Sequence, residues 1–202
     1  MWQEERRARE QGYLCLAGID EAGRGALAGP VVAACVVLPF ECVPLGVADS
    51  KTLPEEMRER LYSEIVRMAR GVGIGIVDAA TIDTINILRA THEAMRLALA
   101  NLPPGLFPDV ALIDGLPVRP FPLDQIALVR GDGRSASIAA ASIIAKVTRD
   151  RLMRSYHDSF PAYGFAAHKG YPAPTHLRAL ETNGVTSLHR RTFRPVAILL
   201  SK

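Results

Sequence analysis

Two acidic residues stand side by side, Asp20 and Glu21, within the phrase Ala17-Gly18-Ile19-Asp20-Glu21-Ala22-Gly23-Arg24-Gly25. Adjacent carboxylates at the end of an apolar run repel one another. A divalent cation turns that repulsion into coordination. Gly23, Arg24 and Gly25 add bare backbone and one fixed cation, which suits a phosphate or sugar that must come close. Asp114 and Asp132 share the setting, since each follows an apolar run and precedes a glycine. Singly, Asp114-Gly115 and Asp132-Gly133 are more often turns than ligands. The Asp20-Glu21 pair has no such simple explanation. Four carboxylates gathered at strand ends would select Mg²⁺ or Mn²⁺ over zinc. Two such ions about 3.5–4 Å apart activate a water and stabilise the leaving oxygen of a phosphodiester. Successive strand residues point to opposite faces, so Glu21 is expected where its strand bends.

The elements that must position these residues are legible from hydrophobic pattern. Apolar runs predict strands over 14–19, 31–38, 72–77, 110–113 and 126–129. Residues 2–11 read as a short helix or frayed arm. Thr52 is a candidate N-cap, with Pro54 near the first position of a helix running to about Arg70. Its apolar face is Met57, Leu61, Ile65 and Met68. A second helix is predicted over about 80–101, with Ile85, Leu88, His92, Met95 and Leu99 at helical spacing. Ser135 or Ser137 opens a long helix, 138–159, whose first turns are small enough to pack closely on a sheet. A loop over 161–174 leads to a short helix near 175–182. Gly71, Gly73 and Gly75 alternate in a strand and mark close packing. The pattern predicts one α/β domain over 1–202 with a helical, basic C-terminal part from about 160. In such sheets ligands gather at strand ends.

Composition narrows the class. The chain has 202 residues, about half hydrophobic, with a formal charge of +3. Between Arg130 and Arg194 eleven Lys and Arg face four acids. That is an electrostatic footprint for nucleic acid, or equally a solubilising surface. Three cysteines without CxxC spacing are neither a disulfide framework nor a zinc site; Cys15 and Cys35 are expected to be buried thiols. The N-terminus is not a secretory signal, and no apolar run reaches a membrane span. The expected location is cytoplasmic, and the expected state monomeric. Gly23, Gly25 and Gly29 are one residue too widely spaced for a dinucleotide fingerprint, and no phosphate-binding loop ending in Gly-Lys-Ser/Thr is present.

The phrase 18–25, followed by Leu27-Ala28-Gly29-Pro30-Val31-Val32, resembles the opening signature of the ribonuclease HII family in its bacterial form. Further stretches match in order. They are Asp49-Ser50-Lys51, Asn86-Ile87 with Ala90-Thr91, Ile113-Asp114-Gly115, Gly131-Asp132, Ser137 through Asp150, Tyr163-Gly164-Phe165, His168-Lys169-Gly170-Tyr171 and His189-Arg190-Arg191. The resemblance implies a ribonuclease H-like fold, a central mixed sheet flanked by helices with a helical C-terminal extension. It implies cleavage of the RNA strand of RNA–DNA hybrids and incision 5′ of single ribonucleotides in duplex DNA, leaving 5′-phosphate and 3′-hydroxyl ends. It assigns Asp20, Glu21, Asp114 and Asp132 to catalysis and to binding Mg²⁺ or Mn²⁺, two ions in the reacting complex. It assigns the backbone of Gly23, Arg24 and Gly25 to the 2′-hydroxyl, the group that separates RNA from DNA. It assigns Tyr171 to stacking on the sugar beside the junction. Lys51, His168 and Lys169 are candidate phosphate contacts.

Three positions depart from the resemblance: Ala26 where Pro is common, Leu116 where Asn is, and Arg134 where Lys is. None is a carboxylate. The alternatives are another metal-dependent nuclease of the same superfold, or a binder of hybrids without catalysis. The five histidines show no pairing of the kind that transesterification through the 2′-oxygen needs. The C-terminus lacks the aromatic pair of a sliding-clamp peptide.

Overall fold

The computed structural model describes residues 1–44, 46–47 and 53–201. In chain order the elements are α1 (Gln3–Glu10), β1 (Leu16–Ala22), β2 (Val31–Val37), α2 (Glu55–Met68), β3 (Gly71–Val77), α3 (Ala79–Ile85) and α4 (Ile87–Ala100). They continue with β4 (Val110–Asp114), β5 (Asp124–Leu128), α5 (Ala136–Ser159), α6 (Phe165–His168), α7 (Pro174–Asn183) and α8 (Arg194–Leu200). The strands form one mixed sheet in the order β3-β2-β1-β4-β5. β1, β2 and β3 are antiparallel, whereas β1, β4 and β5 run parallel.

β2 is buried along its whole length because helices cover both faces of the sheet. Ala17, Ile19, Val31, Ala33 and Cys35 pack with Ala90, Ala94 and Ala98 of α4. Ala34 and Val36 pack with Ala140, Ile143 and Ile144 of α5. Small residues let both helices lie directly on the strands. A Cβ at Gly18 would stand 2.0 Å from the Ser137 carbonyl carbon, and one at Gly73 or Gly75 would meet the Ala98 or Ala94 carbonyl oxygen. Overpacking at such backbone contacts costs about 1–3 kcal/mol or more, so these glycines set the distance between layers.

Several expectations shift. The helix expected over 80–101 is two helices, because Asn86 adopts φ 68 and its side chain accepts a hydrogen bond from the Arg89 N–H, capping α4. The buried face of α4 is its alanine stripe, while Leu88 is exposed. Met57 is also exposed, and α2 starts at Glu55 with Pro54 just before it. Thr52 lies outside the described residues. β5 begins at Asp124, two residues earlier than the apolar run suggested. Ser135 caps α5, accepting from the Ile138 N–H at 3.1 Å. The loop expected over 161–174 contains a 3₁₀ turn, Pro161–Tyr163, and α6. α8 was not anticipated. Cys35 is buried, but Cys15 is only half-buried and Cys42 is exposed. Among the described residues no helix is long and apolar enough to cross a membrane.

Candidate active site

Parallel pairing aligns Ile19 with Ile113, so Asp20 and Asp114 follow as neighbours on adjacent strands. Side-chain alternation puts both on the α5 face of the sheet. Asp20 lies inside β1 rather than at its end, since the strand continues to Ala22. Glu21 alternates to the other face, yet still borders the same open cavity of about 390 Å³. Asp20, Glu21, Gly23, Arg24, Gly25, Asp114 and Tyr171 all line that cavity. Asp132 does not. It sits buried on the 3₁₀ turn Gly131–Gly133, whose first N–H donates to Asp114 Oδ1 at 2.6 Å. Lys51 lies outside the described residues.

Asp20 and Glu21 resist ionisation. Burial pushes the Asp20 pKa well above the ordinary carboxylate range, and the charges of Glu21 and Asp114 push it further. The Glu21 N–H and the Ser142 side chain oppose this by hydrogen bonding to it. Glu21 is also raised, by burial first, although Arg24 pairs with it at 3.0 Å. Mutually repelling acids in a concave, half-dry site are a charge set that a cation relieves. Among the described residues no three His, Cys, Asp or Glu side chains form a ready-made metal cage. That openness suits Mg²⁺ or Mn²⁺: magnesium keeps several waters and is commonly held by one or two carboxylates plus substrate phosphate. Asp20 and Asp114 are the lining residues that could hold such an ion, with Glu21 beside them.

Other cavity residues were not singled out from the sequence. Ser142 and Lys146 come from α5 and Arg58 from α2. Their i, i+4 spacing on α5 was visible in the sequence, but which face met the carboxylates was not. Lys146 is paired with Asp150 at 2.7 Å. His168 and Lys169, expected at phosphates, do not line the cavity. Both His168 ring nitrogens are committed, Nε2 to the Tyr163 carbonyl and Nδ1 to the Gly170 N–H. Lys169 is buried, its ammonium donating to the Ala166 carbonyl at 2.5 Å.

The glycine loop and the Tyr171 loop are one unit. Leu27 N–H donates to the Gly170 carbonyl at 2.8 Å. Beneath them lie two fully buried guanidinium groups. Arg149 donates to the carbonyls of Ala28, Pro30 and Lys169, and Arg190 to those of Arg24 and Gly29. Burial lowers both pKa values, Arg190 to about 9 with help from the Arg149 charge. The Arg149 carbon sits 5.2 Å from the centre of the Tyr171 ring. These arginines are framework, which shrinks the basic footprint read from the sequence. Arg134, Arg151 and Arg154 are likewise engaged with Glu4, Glu59 and Glu55. Arg130, Arg178, Arg191 and Arg194 remain exposed. Of the departures, Ala26 is buried, Leu116 is exposed and Arg134 is tied to α1.

The histidines, too, differ from expectation: His176 and His189 meet through their Nε2 atoms at 3.1 Å. Both are buried away from the cavity, so they are no base for a 2′-oxygen.

The family model described as Ribonuclease HII matches residues 17–196. A ribonuclease HII from Acetivibrio thermocellus is 52% identical over 94% of this chain and 73% of its own. Among solved structures, the ribonuclease H2 of Pyrococcus horikoshii superposes with a TM-score of 0.80 at 27% identity, covering 93% of this chain and 98% of its own. The RNase HII of the PCNA:RNase HII complex from Archaeoglobus fulgidus gives 0.74 at 30% identity, covering 89% and 95%.

Proposed function

The chain belongs to the ribonuclease HII family, and we propose that it incises duplex DNA on the 5′ side of a single embedded ribonucleotide, as well as the RNA strand of continuous hybrids. The coarser activity is that of the family: an endoribonuclease hydrolase with ribonuclease H activity on RNA–DNA substrates, dependent on a divalent metal. The observation that carries the finer reading is a single cavity lined together by Asp20, Glu21 and Asp114, by the exposed Gly25 and by Tyr171.

In this reading Asp20 and Asp114 bind the catalytic cations, with Glu21 and Asp132 completing the set. The chemistry that two Mg²⁺ or Mn²⁺ ions supply when bound is a water of lowered pKa and charge neutralisation at the departing 3′-oxygen. The chain itself does the selecting. Gly25 has no side chain to hinder approach of its amide to a 2′-hydroxyl. Tyr171 stacks on the deoxyribose that follows the ribonucleotide and draws the scissile phosphate toward the carboxylates. Arg24, Arg58 and Lys146 are the cations that line the cavity, where a phosphate would compete with Glu21 for Arg24 and with Asp150 for Lys146. We read residues 1–202 as one catalytic unit, with 160–202 supplying the wall that carries Tyr171.

Mapping the cut on a duplex with one ribonucleotide, in Mg²⁺ and in Mn²⁺, tests this. The expected product is a single nick 5′ of the ribonucleotide with 5′-phosphate and 3′-hydroxyl ends. A nick on its 3′ side, or cutting of continuous hybrids alone, would refute the finer reading and leave the family activity standing.

A further inference from the structure

His176 and His189 are thirteen residues apart, fully buried, and absent from the cavity lining. Their hydrogen bonds admit one arrangement of protons. The Thr186 backbone N–H donates to His189 Nδ1 at 3.0 Å, so that nitrogen is bare and the proton of the neutral ring is on Nε2. His189 Nε2–H then donates across 3.1 Å to His176 Nε2. His176 therefore carries its proton on Nδ1, and donates it to the Tyr171 carbonyl at 2.9 Å. That carbonyl can only accept, so the relay is consistent at every link. Burial and the neighbouring imidazole hold His189 down at about 4, which keeps the pair neutral at neutral pH.

The relay is anchored at both ends. His189 bridges Ala28 in antiparallel fashion, and the flanking Arg190 N–H donates to the Leu27 carbonyl at 2.8 Å. Leu27 in turn bonds Gly170, the residue before Tyr171. Tyr171 itself follows two residues in the left-handed region, Lys169 at φ 52 and Gly170 at φ 80. Lys169 thus holds a backbone conformation that residues with side chains rarely adopt, and a stacking ring works only from a fixed place. We propose that the His176–His189 pair is a positioning element for Tyr171, and through it sets preference for an embedded ribonucleotide over a continuous hybrid. This rests on the reading of Tyr171 given under Proposed function.

Two substitutions separate the two ends of His176. The amide nitrogen of His176→Asn falls where Nδ1 was, so it keeps the bond to Tyr171 and strands His189. His176→Gln reaches the Nε2 position, so it keeps a partner for His189 and withdraws one of the two donors to the Tyr171 carbonyl, leaving it the Ala173 N–H at 2.8 Å. The readouts are the ratio of kcat/KM on a one-ribonucleotide duplex to that on a continuous hybrid, and the melting temperature. We expect His176→Asn to melt lower yet hold the ratio within about twofold, and His176→Gln to melt higher than His176→Asn yet lose about fivefold or more in the ratio. A ratio that follows melting temperature in both variants overturns positioning and leaves a structural pair. Tyr171→Ala is measured alongside. A lowered ratio there with none in His176→Gln sinks the positioning role alone, whereas no change in Tyr171→Ala sinks the stacking reading itself. On the wild-type protein, ¹⁵N–¹H correlation of the imidazoles at pH 7 must show His176 protonated on Nδ1 and His189 on Nε2. The opposite tautomers overturn the relay whether or not the variants fold.

Discussion

Gly23 and Gly25 read alike in the sequence and differ sharply in the structure, which makes an alanine at each a discriminating test. Gly23 is buried at φ +94, and a Cβ there would stand 1.9 Å from Arg149 Nε and 2.4 Å from its Cδ. Those atoms are not a loose tip, because the guanidinium is held by three carbonyls at 2.9–3.1 Å. Backbone strain at a left-handed position costs about 1–3 kcal/mol. Displacing Arg149 loses at least one hydrogen bond from a charged group, about 1.5–3 kcal/mol. The sum for Gly23→Ala is about 3–6 kcal/mol. At roughly 2–4 °C per kcal/mol for a chain of this size, melting should fall by about 6–24 °C. Gly25 is exposed, and a Cβ there meets nothing within 4 Å. Gly25→Ala should melt within a few degrees of wild type while losing most of its activity on a one-ribonucleotide duplex, where the methyl obstructs approach to the backbone. Differential scanning calorimetry with steady-state cleavage reads both. A Gly23→Ala protein melting within 2 °C of wild type refutes the wedge against Arg149; full activity in Gly25→Ala refutes backbone recognition at that position.

Asp20→Asn and Asp114→Asn should abolish cleavage across a Mg²⁺ titration without lowering stability in the absence of metal. Asp20 has a raised pKa, so its ionised form weighs against folding increasingly as pH rises through that value, and urea melts should show Asp20→Asn gaining on wild type toward pH 7. His189 works in the opposite direction. Its folded pKa of about 4 lies below the ordinary 6.5, so its contribution is complete above pH 6.5 and is lost as pH falls toward 4. The stability advantage of wild type over His189→Gln should therefore shrink through that window, and a constant advantage would show the ring is already charged or exposed. Salt dependence of hybrid binding should be modest. If Arg24, Arg58 and Lys146 each neutralise one phosphate, the log–log slope is about −2.7 at roughly 0.9 per contact, and filter binding that gave a slope near −10 would return the other arginines to the interface.

The sequence by itself determined the α/β class, the five strands, and the three carboxylates, Asp20, Glu21 and Asp114, that meet at one cavity. These are written in local patterns: apolar runs the length of a strand, glycines at turns, acids directly after them. Helix boundaries needed one residue more. Asn86 breaks the 79–100 segment because it takes a positive φ and caps the following helix with its own side chain, and an apolar periodicity running past it hides the break. What only the tertiary structure decided is which charges and imidazoles are desolvated. A count along the chain treats Arg149, Arg190 and Lys169 as a basic surface, yet all three are buried beneath the loops they support. Their partners are main-chain carbonyls, including those of Arg24, Ala28, Gly29 and Pro30, which are more than a hundred residues away. The same holds for His176 and His189, whose pairing depends on α7 and the 186–190 turn closing on one another. Local sequence sets the conformation a segment prefers. Whether a polar group inside it meets water or a carbonyl depends on chain brought in from afar, and at this site that decides which residues line the cavity and which hold up its wall.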